Sequence, residues 1–238
     1  MAVSERQAAL AALDIIEWQW RSPEKGGVVA LPSGSADAPP TDDDRADVAD
    51  LSWDALRARV ATCTACDLCH TRTQTVFGVG DPNARLLIVG EAPGAEEDRL
   101  GEPFVGPAGK LLDEMLLAIG LRRDQAYICN ILKCRPPRNA DPTPEQAATC
   151  RPYLARQIAL VKPALILAVG RIAAQSLLQV SVPIGRLRGP SHSFAVRDTS
   201  IPIHVTYHPA YLLRSPAEKA RAWEDLKQVR VALAVERR

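Results

Sequence analysis

Residues 85–90, Arg85-Leu86-Leu87-Ile88-Val89-Gly90, decide the fold. Four consecutive apolar residues closed by a glycine are too few for a helix and show no polar alternation. They read as a strand buried on both faces, of the kind found inside a parallel sheet. A parallel neighbour needs a crossover connection, and the following residues supply one. After a Gly/Pro-bearing loop to Gly106, a helix is predicted over 107–119, opened by Pro107 and stopped by Gly120. Residues 126–131 form the second strand, 164–169 the third and 202–207 the fourth. A Pro-rich loop at 133–143 and a helix over 144–161 join the second strand to the third. A helix from 170 to about 178 follows the third strand, and a last helix spans about 216–235. Strands alternating with helices predict an α/β protein with a parallel sheet sandwiched between helices. Ligands of such sheets bind beyond the carboxyl ends of the strands. Three of the four ends carry unusual polar residues, Gly90-Glu91, Asn130 and His208, and this convergence points to one active cleft.

Upstream the pattern weakens. Residues 6–20 suggest a short amphipathic helix, and 21–50 have a Pro, Gly, Ser, Ala and Asp content typical of a linker, so 22–48 are expected to be mobile or loosely packed. A further helix is expected over 50–61 with Ser52 as its cap. The domain is therefore taken to be 51–238, preceded by an N-terminal helix and linker at 1–50. Hydrophobic residues make up 47% of the 238 positions, enough for a full core, and aromatics only 5%, so that core is aliphatic. No apolar run is long enough to cross a bilayer, and the first residues lack the pattern of a secretory signal. A cytoplasmic protein without membrane contact is expected. A net charge of +1 excludes a bulk nucleic-acid coat but leaves room for a local basic face.

Six cysteines in such a chain argue against a disulfide framework. Cys63 and Cys66 are two residues apart, a turn that aims two thiolates at one metal centre. Cys134 and Cys150 offer a second pair from a distant loop and helix. Four thiolates suit zinc or an iron–sulfur cluster, and spacing alone does not separate them. Cys69 and Cys129 read as ordinary small apolar residues.

Several motifs stand in order: Cys-Thr-Ala-Cys at 63–66, TRTQTVFGVGD at 71–81, GEAPGAEED at 90–98, GEPFVGPAGKLLDEML at 101–116, YICNILKCRPPRN at 127–139 and HPAYLLR at 208–214. In these the chain resembles the family 4 uracil-DNA glycosylases, over about residues 60–230. The resemblance implies a three-layer α/β/α fold with a four-stranded parallel sheet, removal of uracil from DNA, and a [4Fe-4S] cluster on Cys63, Cys66, Cys134 and Cys150. The cluster would be structural. Uracil-containing DNA is the implied partner, and a monomer is expected.

A base buried in a duplex must be extruded into a pocket. Phe104 is the candidate stacking face. Asn130, with a donor and an acceptor on one amide, matches uracil N3–H and O4 and mismatches cytosine. His208 can donate to O2 as negative charge collects on the departing base, and a neutral imidazole suffices. Glu91 can favour positive charge on the sugar and orient the water, with Glu97 as a second candidate for that role. Main-chain groups of Gly90, Ala92 and Gly94 are expected beside the base. Lys133, Arg135, Arg188 and Arg214 are candidate phosphate contacts, as are Arg138 and Arg186. Tyr211 and Leu212 are candidate wedges for the gap left by the flipped base. Two alternatives stay open: a covalent uracil-DNA trapping relative, disfavoured because 134–150 carries neither the basic insert nor its His, and a non-enzymatic iron–sulfur DNA-binding module.

Overall fold

The computed structural model describes residues 48–190, 192–196 and 199–235. The expected helix at 6–20 and nearly all of the expected linker lie outside them, as does the proposed division at residue 50 on its N-terminal side. In chain order the elements are α1 (Trp53–Ala61), β1 (Val79–Gly80), β2 (Leu86–Gly90), α2 (Ala95–Leu100), α3 (Pro107–Ala118), β3 (Tyr127–Asn130), α4 (Pro144–Val161), β4 (Leu165–Val169), α5 (Arg171–Leu178), α6 (Ile184–Leu187), β5 (His192–Val196), β6 (Thr199–Thr206), α7 (Pro209–Arg214) and α8 (Lys219–Val235). Short 3-10 turns lie between several of them.

The sheet has six strands in the order β1-β3-β2-β4-β6-β5. Its centre, β3-β2-β4-β6, is parallel throughout and consists of the strands read from the sequence. The two outer strands are antiparallel additions. β1 is two residues long, too short to leave a periodic signal. β5 pairs with the first half of β6, which starts earlier than its apolar run suggests. The sheet is thus mixed and six-stranded rather than four-stranded, while the α/β class holds.

Side chains on the central strands alternate between two separate cores, as a period of two requires. Leu87, Val89, Tyr127, Cys129, Ile166, Ala168, Ile203 and Val205 face one core, closed by α1, α4 and α5 through Leu56, Val60, Leu154, Ile158, Ala173 and Leu177. Leu86, Ile88, Ile128, Leu165, Leu167 and Val169 face the other, closed by α3, α7 and α8 through Leu112, Leu116, Leu212, Leu226 and Val229. Helices on both faces explain why the strands are continuously apolar. Each buried Leu or Ile contributes roughly 1.5–3 kcal/mol, so the strand positions, and with them the strand ends, are tightly fixed. Three short helices, α2, α6 and α7, lie in stretches to which the sequence reading gave no helix. α2 starts where Glu97 caps the Gly94 amide (3.1 Å), and α7 where His208 caps Ala210.

Candidate active site and sulfur quartet

The polar strand ends meet. Gly90 and Asn130 are paired neighbours in the parallel ladder of β2 and β3. Gly90 is required there by close approach: a β-carbon on it would collide with Oδ1 of Asn130 and the ring of Phe104. Asn130 is 2% exposed, and its Oδ1 has no hydrogen-bond partner among the described residues. Leaving a buried acceptor unsatisfied costs about 1–3 kcal/mol, so this oxygen marks a place where a ligand's donor belongs.

Phe104 sits beside it in the left-handed region, with φ of 54°. For a bulky residue this costs about 1–3 kcal/mol and persists only if the surroundings enforce it. Two features do. Gly109 lets the Phe104 carbonyl press against the helix, where any side chain would overlap it. Glu97 accepts from the amides of Val105 (3.0 Å) and Gly106 (3.1 Å) on Oε1 and from Gly94 on Oε2. Both Glu97 oxygens are thereby engaged with main chain, so the carboxylate staples the start of α2 to the Phe104 loop. The Gly94 amide, expected beside the base, is turned to Glu97 instead. Ala92 packs partly buried against the first core.

His208 is the N-cap of α7. Its Nδ1 accepts from the Ala210 amide at 3.1 Å, which fixes the neutral tautomer with the proton on Nε2. Burial, reinforced by Arg214 and opposed by Glu97, pushes its pKa down to about 4. The imidazole stacks against Phe104, with ring centroids 5.6 Å apart and 28° between planes. Glu91, just past β2, is half-buried. Burial, then the Asp141 carboxylate, push its pKa up to about 7, against the pull of Arg171. Arg171 and Asp141 are themselves paired at 2.6 Å. Sequence reasoning missed this pair. Its only trace was the position of Arg171, directly after Gly170, the first residue beyond β4.

The expected DNA-facing residues divide. Arg135 stays partly exposed and donates Nε to Asn139 (2.8 Å), and Arg214 is exposed. Lys133 is not at the surface: it is 1% exposed, and its Nζ donates to the Asn130 carbonyl at 2.8 Å. Arg188 is clamped on Asp225 by two hydrogen bonds, 2.8 and 3.0 Å, and lies over the Tyr207 ring at 4.2 Å. Of the expected wedges, Tyr211 is 37% exposed but Leu212 is 1% exposed and belongs to the second core. Leu213, which the sequence reading passed over, is the exposed leucine at 44%. Recognising 209–214 as a helix would have shown that residues 212 and 213 point to different sides.

The cysteines also separate. Cys63, Cys66, Cys134 and Cys150 come from three distant segments yet lie within electrostatic reach of one another. Each sulfur receives a hydrogen bond. Tyr153 OH donates to Cys63 (3.3 Å), the Leu68 amide to Cys66, Arg72 Nη1 to Cys134 (3.0 Å) and the Lys133 amide to Cys150. Burial and the neighbouring thiols push the Cys150 pKa up to about 12. Cys129 is fully buried in β3. Cys69 lies within electrostatic reach of Cys66 and its amide donates to the Cys66 carbonyl at 3.2 Å, but its sulfur turns to the Thr64 carbonyl at 4.0 Å. Among the described residues, no three His, Cys, Asp or Glu side chains close on one point as ligands of a single ion. No helix among the described residues is long and apolar enough to cross a membrane.

The chain is similar to known proteins. Residues 77–227 match the model of the uracil DNA glycosylase superfamily. A type-4 uracil-DNA glycosylase of Archaeoglobus fulgidus is 43% identical over 182 residues, covering 75% of this chain and 92% of the relative. One from Thermotoga maritima is 43% identical over 175 residues, covering 72% and 90%. A type-5 uracil-DNA glycosylase of Thermus thermophilus is more distant, at 36% over 118 residues, covering 43% of this chain and 53% of the relative.

Proposed function

The chain belongs to the uracil-DNA glycosylase superfamily, and from that premise we propose that it excises uracil from DNA, leaving an abasic site for base excision repair. The observation that carries this reading is the unpartnered Oδ1 of Asn130, buried beside Gly90 and Phe104 at the strand ends. Uracil N3–H is the donor it lacks, and the amide NH2 of the same side chain matches O4. Cytosine presents an unprotonated N3 and an amino group, so acceptor would face acceptor in a dry site, a strong penalty.

The reaction breaks the bond from C1′ of the sugar to N1 of uracil. The bonding electron pair leaves with the base, whose negative charge spreads toward O2. His208 offers Nε2–H to that oxygen; its capped Nδ1 and depressed pKa keep it a neutral donor that need not lose a proton. Phe104 provides the stacking face. The sugar carbon becomes electron-poor, and Glu91, when ionised, favours that charge. It takes a proton from the water that adds to C1′. The uracil anion is protonated from solvent. Glu97 acts as a positioning residue, since its oxygens hold the loop that carries Phe104. Arg135 and Arg214 face phosphates, and Tyr211 with Leu213 fills the space vacated by the base.

Cys63, Cys66, Cys134 and Cys150 would hold a [4Fe-4S] cluster. Support comes from the donor set: four thiols near one another, each sulfur accepting a hydrogen bond of the sort that stabilises a thiolate. The bound group supplies a cross-link among three chain segments, and no catalytic step passes through it.

The test uses anaerobically purified protein, a uracil-containing oligonucleotide and its thymine counterpart, no added magnesium, and alkaline cleavage of abasic sites. Breaks confined to the uracil strand are expected. Intact uracil strands with iron-loaded protein would sink the enzymatic reading and leave the trapping relative or the binding module.

A further inference from the structure

Lys133 is a buried cation that the proposed chemistry does not use. It lies between the base pocket and the sulfur quartet and touches both. Its Nζ turns back onto the Asn130 carbonyl at 2.8 Å. Its amide donates to Cys150, its carbonyl accepts from the Val76 amide at 2.8 Å, and the next residue is Cys134. The ammonium's charge reaches the sulfurs of Cys129 and Cys150. Among the described residues no carboxylate lies within ion-pair distance of Nζ, and the side chain is 1% exposed. An ammonium buried without a counter-charge is too costly to be kept as filler; an apolar side chain of the same volume would serve better. None of the described carboxylates is that partner, and the anionic group nearest the ammonium is the sulfur quartet, through Cys150.

We propose that Lys133 is a positioning residue that couples the two sites: its ammonium is the buried counter-cation of the iron–sulfur cluster and at the same time fixes the main chain of the base reader Asn130. The proposal rests on the cluster reading given above. A cluster bound by four thiolates carries net negative charge, which supplies what the ammonium lacks. With the cluster in place, the ammonium is held and Asn130 is held with it. Pocket geometry then depends on a group that takes no part in the reaction.

The experiment compares anaerobically prepared wild type, Lys133→Met and Lys133→Gln for iron and sulfide content, cluster midpoint potential, and kcat and KM on a uracil oligonucleotide. Both variants remove the charge, so both should move the potential to more negative values, because the added electron loses a neighbouring cation. Lys133→Met also removes the donor to Asn130 and should lower kcat/KM by up to about 100-fold, the scale of a displaced catalytic contact. Lys133→Gln keeps a donor and should recover most of that loss. Loss of iron from a folded variant supports the same coupling, and if Lys133→Met does not fold, the Gln variant decides alone. Iron-replete variants with the wild-type potential overturn the proposal, as does a shifted potential with kcat/KM unchanged in both. Wild-type protein without iron and sulfide fails the cluster reading itself, which separates the two failures.

Discussion

The base pocket and the sulfur quartet are both polar constructions inside an aliphatic protein, but they are held in different ways. The pocket sits on strand ends. Gly90 and Asn130 are ladder partners, His208 caps a helix two residues beyond β6, and Glu97 ties the Phe104 loop to α2 through three amides. Its frame is set by the sheet. The quartet draws Cys63 and Cys66 from the chain after α1, Cys134 from a loop and Cys150 from α4. No strand pairing sets their spacing, and their shared feature is a donor on each sulfur. With the proposed cluster bound, the four sulfurs would be held as one unit. The pocket should thus survive loss of any one of its side chains, whereas the quartet should fail as a unit.

The largest effect expected is in the pocket. Asn130→Ala should reduce uracil excision by about 10³-fold or more, because the base's polar edge is left unpaired. Iron content and melting temperature should stay near those of wild type, since the side chain's Oδ1 makes no internal hydrogen bond. A variant that also loses iron would show that the Asn130 side chain, and not its main chain alone, is tied to the quartet. Next, His208→Ala should cost about 10²–10³ in kcat, the usual loss for one donor to a developing anion. Wild-type kcat should show no limb from this residue between pH 5 and 9, because its pKa lies near 4.

The quartet should respond in the opposite manner. Cys66→Ala or Cys134→Ala should abolish iron binding, lower the denaturation midpoint, and reduce excision by about 10–100-fold through displaced loops rather than lost chemistry. Cys69→Ala, which keeps the amide that closes the turn onto the Cys66 carbonyl and removes only the sulfur, should leave the iron content unchanged. Equal iron loss from Cys69→Ala would redraw the ligand set.

The same contrast explains what the sequence made legible. The parallel centre of the sheet and the positions of Glu91, Asn130 and His208 at strand ends could be read because a doubly buried strand advertises itself as a short apolar run, and its end as the first polar residue. β1 and β5 could not be read. An edge strand of two residues has no period, and β5 owes its pairing to β6 rather than to its own pattern. Surface roles failed for a related reason. Lys133 and Arg188 looked like phosphate contacts because they are cations in a motif, but a side chain's direction depends on what packs around it. Lys133 turns inward to Asn130 and Arg188 is gripped by Asp225. Leu212 and Leu213 are chemically identical, and only the helical phase of α7 decides which one is buried.

The smallest effect expected concerns Glu91, and it tests whether the pocket, for all its rigidity, works under strain. Burial holds the Glu91 pKa at about 7. If its carboxylate accepts the proton of the attacking water, kcat/KM should rise about tenfold between pH 6 and pH 8, following the ionised fraction. Stability should move the other way. The folded pKa is raised above the ordinary value of 4.5, so the folded state binds this proton more tightly than the unfolded chain does. The associated stability is fully present below about pH 4.5 and is lost as pH rises through about 7. The ionisation that activates the site therefore works against the fold. Glu91→Gln, neutral at every pH and close in shape, should flatten both profiles together while lowering the rate. A flattened rate profile with an unchanged stability profile would mean that the titrating group lies elsewhere, with the Asp141–Arg171 pair the first place to look.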